Sequence, residues 1–324
     1  MAYYYVKNGG AATGDAGRYA TQQTGSFATL GAANYYNDIP SAIAATTNPV
    51  ADDFINVSDL HNISVVAAIS ISTIAPPYPL IVCVDDVNID AARTTGSRGK
   101  EANTDATSDI TLSNCFLSGL ELSTNDDLKL DQQVRLIDSK MELTGSFGRI
   151  LANSDNCALS LVNSELAFNN SSAHINAGNA IYIEMLGGSV TTTTGGVTTL
   201  FNGNFGLGGA TIVFNGVDMS GITGTLLANV GASASVEDII NVSFDQCKID
   251  SGVAFTNETF KHISHRAMFT RCSSSSADAE YQYHLHTFGG DVDDDSAVFR
   301  NEDEAFTESN QKISYKIVTN SDAS

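Results

Sequence analysis

The chain has 324 residues, long enough for one large solenoid or two compact domains. Only 16% of the residues are charged, and the formal net charge of −21 would repel phosphate groups, which argues against nucleic acid and anionic lipid as partners. No apolar run reaches the length of a membrane span. The first residues lack the basic and apolar regions of a signal peptide, so we expect a protein made in the cytoplasm.

The N-terminal part, residues 1–52, reads as an arm that ends in a capping helix. Six of the eleven tyrosines lie within residues 1–36. Tyrosine is favoured where surfaces bury each other, so we expect these side chains to dock onto another protein. The alternative is that they pack over the neighbouring coil of the same chain. Asp38 followed by Ile-Pro-Ser-Ala-Ile-Ala-Ala predicts a short helix with Asp38 as the N-cap and Pro40 in the first turn.

A pattern that recurs seven times is the strongest signal in the sequence. Each copy has an apolar residue four positions and two positions before a small or polar anchor, and the anchors are 24 to 30 residues apart. The anchors are Asn114, Asp138, Asn163, Gly187, Gly216, Gln246 and Arg271. Three positions after the anchor comes another apolar residue in every copy except the last, which has Ser274.

This spacing predicts strands that stack in register. Apolar residues two apart lie on one face of a strand, and a small or polar residue after them suits a corner. A repeat of about 25 residues gives each coil room for three short strands and three turns. Leu161 and Phe244 are expected to point inward. The prediction is an all-β, right-handed, single-stranded parallel β-helix with an N-terminal capping segment and a small C-terminal antiparallel β cap.

The solenoid is expected to span residues 53–275. Two weaker copies of the pattern precede the seven, with anchors at Asp59 and Asp85, which gives eight or nine coils in all. Residues 276–324 leave the repeat and carry eleven acidic and three basic residues. Candidate strands there run over 281–288, 297–300 and 312–318, joined by acidic turns.

Three pairs of acidic residues are the candidates for catalysis. A glycosidase needs two carboxylates facing one sugar, and a lyase of the pectate type needs an acidic calcium cluster with a basic residue nearby. The pairs Asp52-Asp53, Asp85-Asp86 and Asp126-Asp127 fall at coil boundaries, where aspartate is a common turn residue. Lysine and arginine do not recur near the three pairs, and tryptophan, the usual sugar-stacking residue, is absent. We therefore expect no enzyme, with no catalytic and no cofactor-binding residues.

Three groups of residues are candidates for metal binding. His284 and His286 would share one strand face, and three chains meeting on an axis could supply six ligands; packed or surface histidines are the preferred interpretation. The segment from Asp291 to Glu302 imitates a calcium loop but lacks its glycine, which favours a solvated acidic turn. Cysteines follow three of the anchors, and we expect reduced thiols there. These cysteines are Cys115, Cys247 and Cys272. No metal site is assigned.

Two segments carry a resemblance to known families. The start, Tyr-Val-Lys-Asn-Gly-Gly followed by Thr-Gly-Asp-Ala-Gly-Arg-Tyr-Ala, together with Asp53-Phe-Ile-Asn-Val-Ser-Asp and the stacked coils, resembles pectate-lyase-like β-helices. The close, from Phe288-Gly-Gly-Asp-Val to Ile313-Ser-Tyr-Lys-Ile-Val-Thr, is similar to the ends of virion structural proteins of tailed bacteriophages. The resemblance implies a phage particle protein, located on the head or on the tail.

The function expected from the sequence is therefore structural. We expect a non-enzymatic capsid decoration (cement) or fibre-like protein of the virion, which binds other virion proteins, in particular the capsid shell, and forms a homotrimer. The alternative is a tail spike or fibre that binds a host surface glycan and could cleave it.

Overall fold

The computed structural model describes residues 2–45, 53–73, 78–94, 96–145, 148–154, 156–170, 172–176, 181–192, 197–202, 210–228, 240–249, 254–256, 266–274, 277–287, 297–299, 307–308 and 314–315. Strands account for 52% of the chain and helices for 9%, which confirms the all-β class. The chain divides into two compact units, residues 1–148 and residues 149–324.

The first unit contains two α-helices and twelve strands among its described residues. The helices are α1 (Phe27–Leu30) and α2 (Ile39–Ala45), and single 3₁₀ turns span Gly14–Gly17 and Ala32–Asn34. The strands are β1 (Tyr3–Val6), β2 (Phe54–Ser58), β3 (Asn62–Val65), β4 (Ile69–Ser72), β5 (Leu80–Val84), β6 (Gly99–Asn103), β7 (Ile110–Ser113), β8 (Cys115–Ser118), β9 (Leu120–Thr124), β10 (Leu128–Leu130), β11 (Gln133–Ile137) and β12 (Lys140–Leu143).

The second unit consists of strands throughout its described part. They are β13 (Arg149–Ala152), β14 (Cys157–Val162), β15 (Glu165–Phe168), β16 (His174–Asn176), β17 (Ile181–Leu186), β18 (Ser189–Thr192), β19 (Val197–Asn202), β20 (Ala210–Asn215), β21 (Asp218–Met219), β22 (Ile222–Ala228), β23 (Ile240–Asp245), β24 (Lys248–Ile249), β25 (Ala254–Thr256), β26 (Arg266–Ser274), β27 (Ala277–Thr287), β28 (Ala297–Phe299), β29 (Thr307–Glu308) and β30 (Ser314–Tyr315).

The strands of each unit stack into three parallel ladders. In the first unit the ladders are β1–β2–β5–β8–β11, β3–β6–β9–β12 and β4–β7–β10. In the second they are β14–β17–β20–β23–β26, β15–β18–β21–β24 and β13–β16–β19–β22–β25. Three faces with one strand each per coil make a right-handed parallel β-helix, as the sequence predicted.

The inward positions predicted from the repeat are confirmed. Leu161, Phe244 and the other apolar residues two positions before the first six anchors are fully buried. The anchors form the corners: Asn114, Asp138, Asn163, Gly187, Gly216 and Gln246 all have positive φ, between 47° and 68°. Glycine, asparagine and aspartate tolerate this left-handed conformation better than branched residues do, which explains why these residue types recur at the anchor.

One step of the predicted register is wrong. The sequence aligned Leu112 and Asn114 with Leu136 and Asp138, whereas the structure pairs Leu117 of β8 with Leu136 of β11. The corner equivalent to Asp138 is therefore Gly119, with φ 74°. Strand β7, with Leu112, lies in the third ladder instead. Both segments read apolar-x-apolar-x-corner, and a period of two does not reveal which face of the coil a strand belongs to.

The coils before this point are therefore of unequal length. Ile81 pairs with Leu117, a step of 36 residues, and Leu117 pairs with Leu136, a step of 19. The earlier copy with Ile55 and Ile81 in register is confirmed. From β2 onward the first ladders contain four described strands in one unit and five in the other, within the eight or nine coils expected.

The predicted capping helix is confirmed as α2. The carboxylate of Asp38 accepts a hydrogen bond from the main-chain N–H of Ser41 at 2.7 Å, the geometry of an N-cap. Ile39 and Ala42 are buried, and the helix packs against β1, β2 and β4, the early strands of two ladders. The helix thus covers strands whose edges and core would otherwise face solvent.

The N-terminal tyrosines pack against other residues of the chain, which was the alternative to docking onto another protein. Tyr4, Tyr5 and Tyr36 are buried, and Tyr3, Tyr19 and Tyr35 are partly buried. Tyr5 forms a small cluster with Phe27, Val84 and Ile89 on the outer side of the first ladder. Strand β1 itself lies in the predicted arm, yet it pairs in register with β2, so the arm adds a strand to the solenoid.

The antiparallel cap near the C-terminus is confirmed. Strand β27 pairs antiparallel with β26 and with β28, and β29 pairs antiparallel with β30. The expected strands at 281–288 and 297–300 correspond to β27 and β28, while only Ser314 and Tyr315 of the third expected strand form a described strand.

Candidate functional site

The acid pairs nominated from the sequence are engaged in turns and in ties to the N-terminal arm. Asp53 is buried and accepts a hydrogen bond from the main-chain N–H of Ala2 at 2.6 Å. Asp85 accepts from the N–H groups of Val87 and Asn88, both at 2.8 Å, and these bonds lower its pKa. Asp52 lies outside the described residues.

Asp86 corrects the expectation that no basic residue stands near the acid pairs. The ammonium group of Lys7 lies 2.8 Å from its carboxylate, and the hydroxyl of Ser58 donates to the same carboxylate at 2.5 Å. The main-chain N–H of Asp86 donates to Asp59. These contacts fasten the arm, through Lys7, to the turns after β2 and β5.

Asp126 and Asp127 meet a third carboxylate, Asp109, in the first unit. Carboxylate oxygens of the three residues lie within 4.8 Å of one another, and Asp127 is buried. Burial and the charges of Asp109 and Asp127 raise the pKa of Asp126. The ammonium of Lys129 lies 2.5 Å from Asp109 and balances part of this charge. Oxygen ligands of this kind suit a divalent cation, but the lysine already serves as the counter-ion.

The remaining nominated residues lie partly outside the described chain. His284 and His286 fall on β27, where their main chain is opposite Met268 and Arg266; their side chains are outside the described residues, as is most of the segment from Asp291 to Glu302. The side chain of Cys272 is also outside them. The described cysteines are buried, and none is in a disulfide; they are Cys83, Cys115, Cys157 and Cys247.

The outer face of the first ladder carries a feature that the sequence analysis missed. Outward residues on five successive strands of the first unit stand in register and form what we call the aromatic column. Its members are Tyr3, Phe54, Leu80, Phe116 and Arg135. The first four are half-buried, and Arg135 is exposed. A solvated sheet face normally carries polar residues at these positions.

Ring contacts order the two ends of the aromatic column. The rings of Tyr3 and Phe54 stack with their planes 9° apart. Their centroids are 5.4 Å apart, a distance close to the spacing of neighbouring strands. The guanidinium of Arg135 lies 5.5 Å from the ring centroid of Phe116, within cation–π distance. Side-chain contacts therefore join the residues at each end of the column.

The charge around the aromatic column differs from that of the chain as a whole. A second outward column beside it contains Asn56, Val82, Ser118 and Ile137. None of the outward residues in these two columns is acidic, although acidic residues exceed basic ones by 37 to 16 in the chain. An aromatic surface with an arginine and without carboxylates has the composition of the core of a protein–protein interface.

The aromatic column could have been found in the sequence only with the correct register. Leu80 and Phe116 belong to continuous apolar runs, Leu-Ile-Val-Cys-Val and Cys-Phe-Leu. In such a run the sequence does not distinguish outward residues from inward ones. A strand that is apolar on both faces reads as such a run. The two apolar runs therefore contained the outward residues, but without the register they could not be assigned to the outer face.

The outward face of the second unit is more polar. Tyr182 of β17 is 40% exposed, and its hydroxyl donates to the carboxylate of Glu184 at 3.3 Å. The hydroxyl of Ser160, on the neighbouring strand, donates to the other oxygen of Glu184 at 3.2 Å. In the ladder Tyr182 is flanked by Ala158 and Thr211, both smaller than its ring.

A buried histidine–glutamate pair lies inside the first unit. Nε2 of His61 is 2.7 Å from the carboxylate of Glu101, and both side chains are almost completely buried. Glu101 occupies an inward position of the second ladder, in register with Ile63 and Leu122. The sequence analysis did not nominate either residue, because they are 40 positions apart and only the ladder brings them together.

Comparison with protein-family models, with curated proteins and with solved structures finds no match for this chain. Among the described residues, no helix combines the length and apolar character that crossing a bilayer requires.

Proposed function

We propose that the chain is a non-catalytic structural protein of a tailed-phage particle, a decoration (cement) protein that binds the capsid shell. The observation that carries this proposal is the aromatic column, an apolar face without acidic residues on a chain of net charge −21. A partner that covers this column removes apolar surface from water without desolvating a carboxylate.

Two further points support a role in binding. The carboxylates nominated for catalysis serve other contacts: Asp53 and Asp86 hold the N-terminal arm, and Asp85 closes a turn. The resemblance of the chain's start to pectate-lyase-like β-helices and of its close to virion proteins supports a place on the particle. The homotrimer predicted from the sequence belongs to the same proposal, and light scattering would contradict it by giving a mass near that of the 34.1 kDa monomer.

Rebinding to particles that lack the native protein tests the proposal. The substitution Phe116→Asp places a carboxylate in the middle of the aromatic column. Central interface residues contribute about 2 kcal/mol or more, so we expect the dissociation constant to rise by at least about 30-fold. Because Phe116 faces outward, the variant should keep the circular dichroism spectrum of the wild type.

Ser70→Asp is the matched control. Ser70 is an exposed outward residue of β4, in the third ladder, so the substitution adds the same charge to another face of the same unit. This variant should bind particles like the wild type. Undiminished binding of folded Phe116→Asp would contradict the assignment of this face.

A tail spike or fibre that binds a host glycan is the second candidate. Tyr182 favours this candidate, because an exposed ring flanked by small residues can stack on a sugar. The carboxylate beside the ring can accept hydrogen bonds from the hydroxyl groups of the sugar. The number of copies per particle, read from a stained gel of purified virions, separates the two: a decoration protein occurs in far more copies than a spike.

A further inference from the structure

The buried pair of His61 and Glu101 lies beneath the capping helix. The main-chain N–H of Ile39, the first residue of α2, hydrogen-bonds to the Glu101 carboxylate, which also contacts Nε2 of His61. Ile39 itself is buried, and so is Ala42 on the next turn of the helix. Glu101 thus joins the capping helix to an inward position of the solenoid.

The buried pair carries a net negative charge until it takes up a proton. Nδ1 of His61 has no hydrogen-bond partner among the described residues. When His61 is neutral and donates through Nε2, Glu101 keeps its negative charge in the core, with only two donors to offset the loss of water. When the pair takes up one proton its net charge becomes zero, whichever of the two residues holds that proton.

Other charged groups near the pair are turned elsewhere or oppose ionisation. Asp38, the N-cap of α2, repels the charge of Glu101. Asp59, two residues before His61, accepts the main-chain N–H of Asp86. The side chain of Lys100 points outward to Glu121 and Glu142.

We propose that the His61–Glu101 pair is a proton-operated latch: it fastens α2 over the solenoid while it holds a proton and loosens α2 when it loses that proton. The open form of the latch is a local detachment of α2 that admits water to Glu101. Such local openings need less free energy than global unfolding, so a change within one pair can control them.

The direction of the pH dependence follows from the burial of Glu101. Burial raises the pKa of Glu101 above its ordinary value of 4.5, although the bonds from His61 and Ile39 oppose the shift. While both the closed and the open forms of the pair hold that proton, its contribution to closure is fully present. As the pH rises through the raised pKa, the closed form loses a proton that the open form has already released, and the contribution is lost.

Hydrogen exchange of the intact chain between pH 5 and pH 9 tests the latch. Protection factors, corrected for the intrinsic effect of pH, are compared for the amides of α2 and for those of β8, which lies in the middle of its ladder. Over the interval in which the pair loses its proton, protection of α2 should fall by up to about tenfold per pH unit, while that of β8 stays constant.

Two substitutions assign the effect to the pair. Glu101→Gln keeps the shape and an acceptor for Ile39 but cannot ionise, so α2 should stay protected throughout the pH range. Glu142→Gln is the control: Glu142 lies in the same ladder, is mostly buried and pairs with Lys100 and Lys140, and its substitution should leave the slope unchanged. A wild-type slope in Glu101→Gln would overturn the proposal. If the protection of α2 in the wild type did not change with pH, the proposal would be overturned as well, even if Glu101→Gln failed to fold.

Discussion

Replacing Phe214 by alanine gives the sharpest test of the inward register in the second unit. Phe214 is fully buried on β20, and its ring packs edge-on between those of Phe201, at 5.9 Å, and Phe244, at 5.5 Å. Truncation of a buried phenylalanine costs about 3–5 kcal/mol, and each lost edge-to-face contact adds about 0.5–1.5 kcal/mol. Because the two terms overlap, we expect a loss near the upper end, about 4–5 kcal/mol.

Phe116→Ala is the matched control, since it makes the same chemical change at an outward position. Phe116 is half-buried and contacts Arg135, so its loss should cost about 1 kcal/mol. Urea unfolding followed by circular dichroism gives the free energy of unfolding of the two variants. Each unfolding transition is identified by comparison with the wild-type curve. Equal losses in the two variants, or a smaller loss for Phe214→Ala, would refute the inward assignment of Phe214.

Two further predictions concern a corner and a thiol. Asn163 is exposed with φ 47°, so Asn163→Gly should leave the urea midpoint nearly unchanged. Asn163→Val should lower the free energy of unfolding by about 1–2 kcal/mol. Equal midpoints for the two variants would contradict the left-handed corner. Burial raises the pKa of Cys115 to about 12, so the native thiol should stay protonated and resist iodoacetamide at pH 8. Its contribution to stability should persist below the ordinary thiol pKa and be lost as the pH rises towards 12. Mass spectrometry showing rapid labelling of the native Cys115 peptide would contradict this.

The sequence was informative where one local rule decides the structure. Leu161 and Phe244 are inward because period-two spacing marks a strand face, and Asn163 and Gly187 are corners because few residue types accept positive φ. The helix at Asp38 followed from its N-cap for the same reason. Each of these features depends on a few neighbouring residues.

The sequence was insufficient where distant segments meet. The slip between Leu112 and Leu117 arose because two adjacent strands carry the same local pattern, and only coil closure tells them apart. Phe116 and Leu80 become neighbours on one face only once that register is known. His61 and Glu101 likewise depend on the pairing of β3 with β6. The candidate surface was therefore beyond local pattern analysis.

Oxidative footprinting on the particle tests the central claim most directly. Hydroxyl radicals modify accessible aromatic side chains, and the chain offers a probe on the proposed interface, Phe116, and a reference on another surface, Tyr182. The account predicts that Phe116 is oxidised in the free protein and protected on the particle, while Tyr182 is oxidised in both. Equal oxidation of Phe116 in the free and particle-bound protein would contradict it.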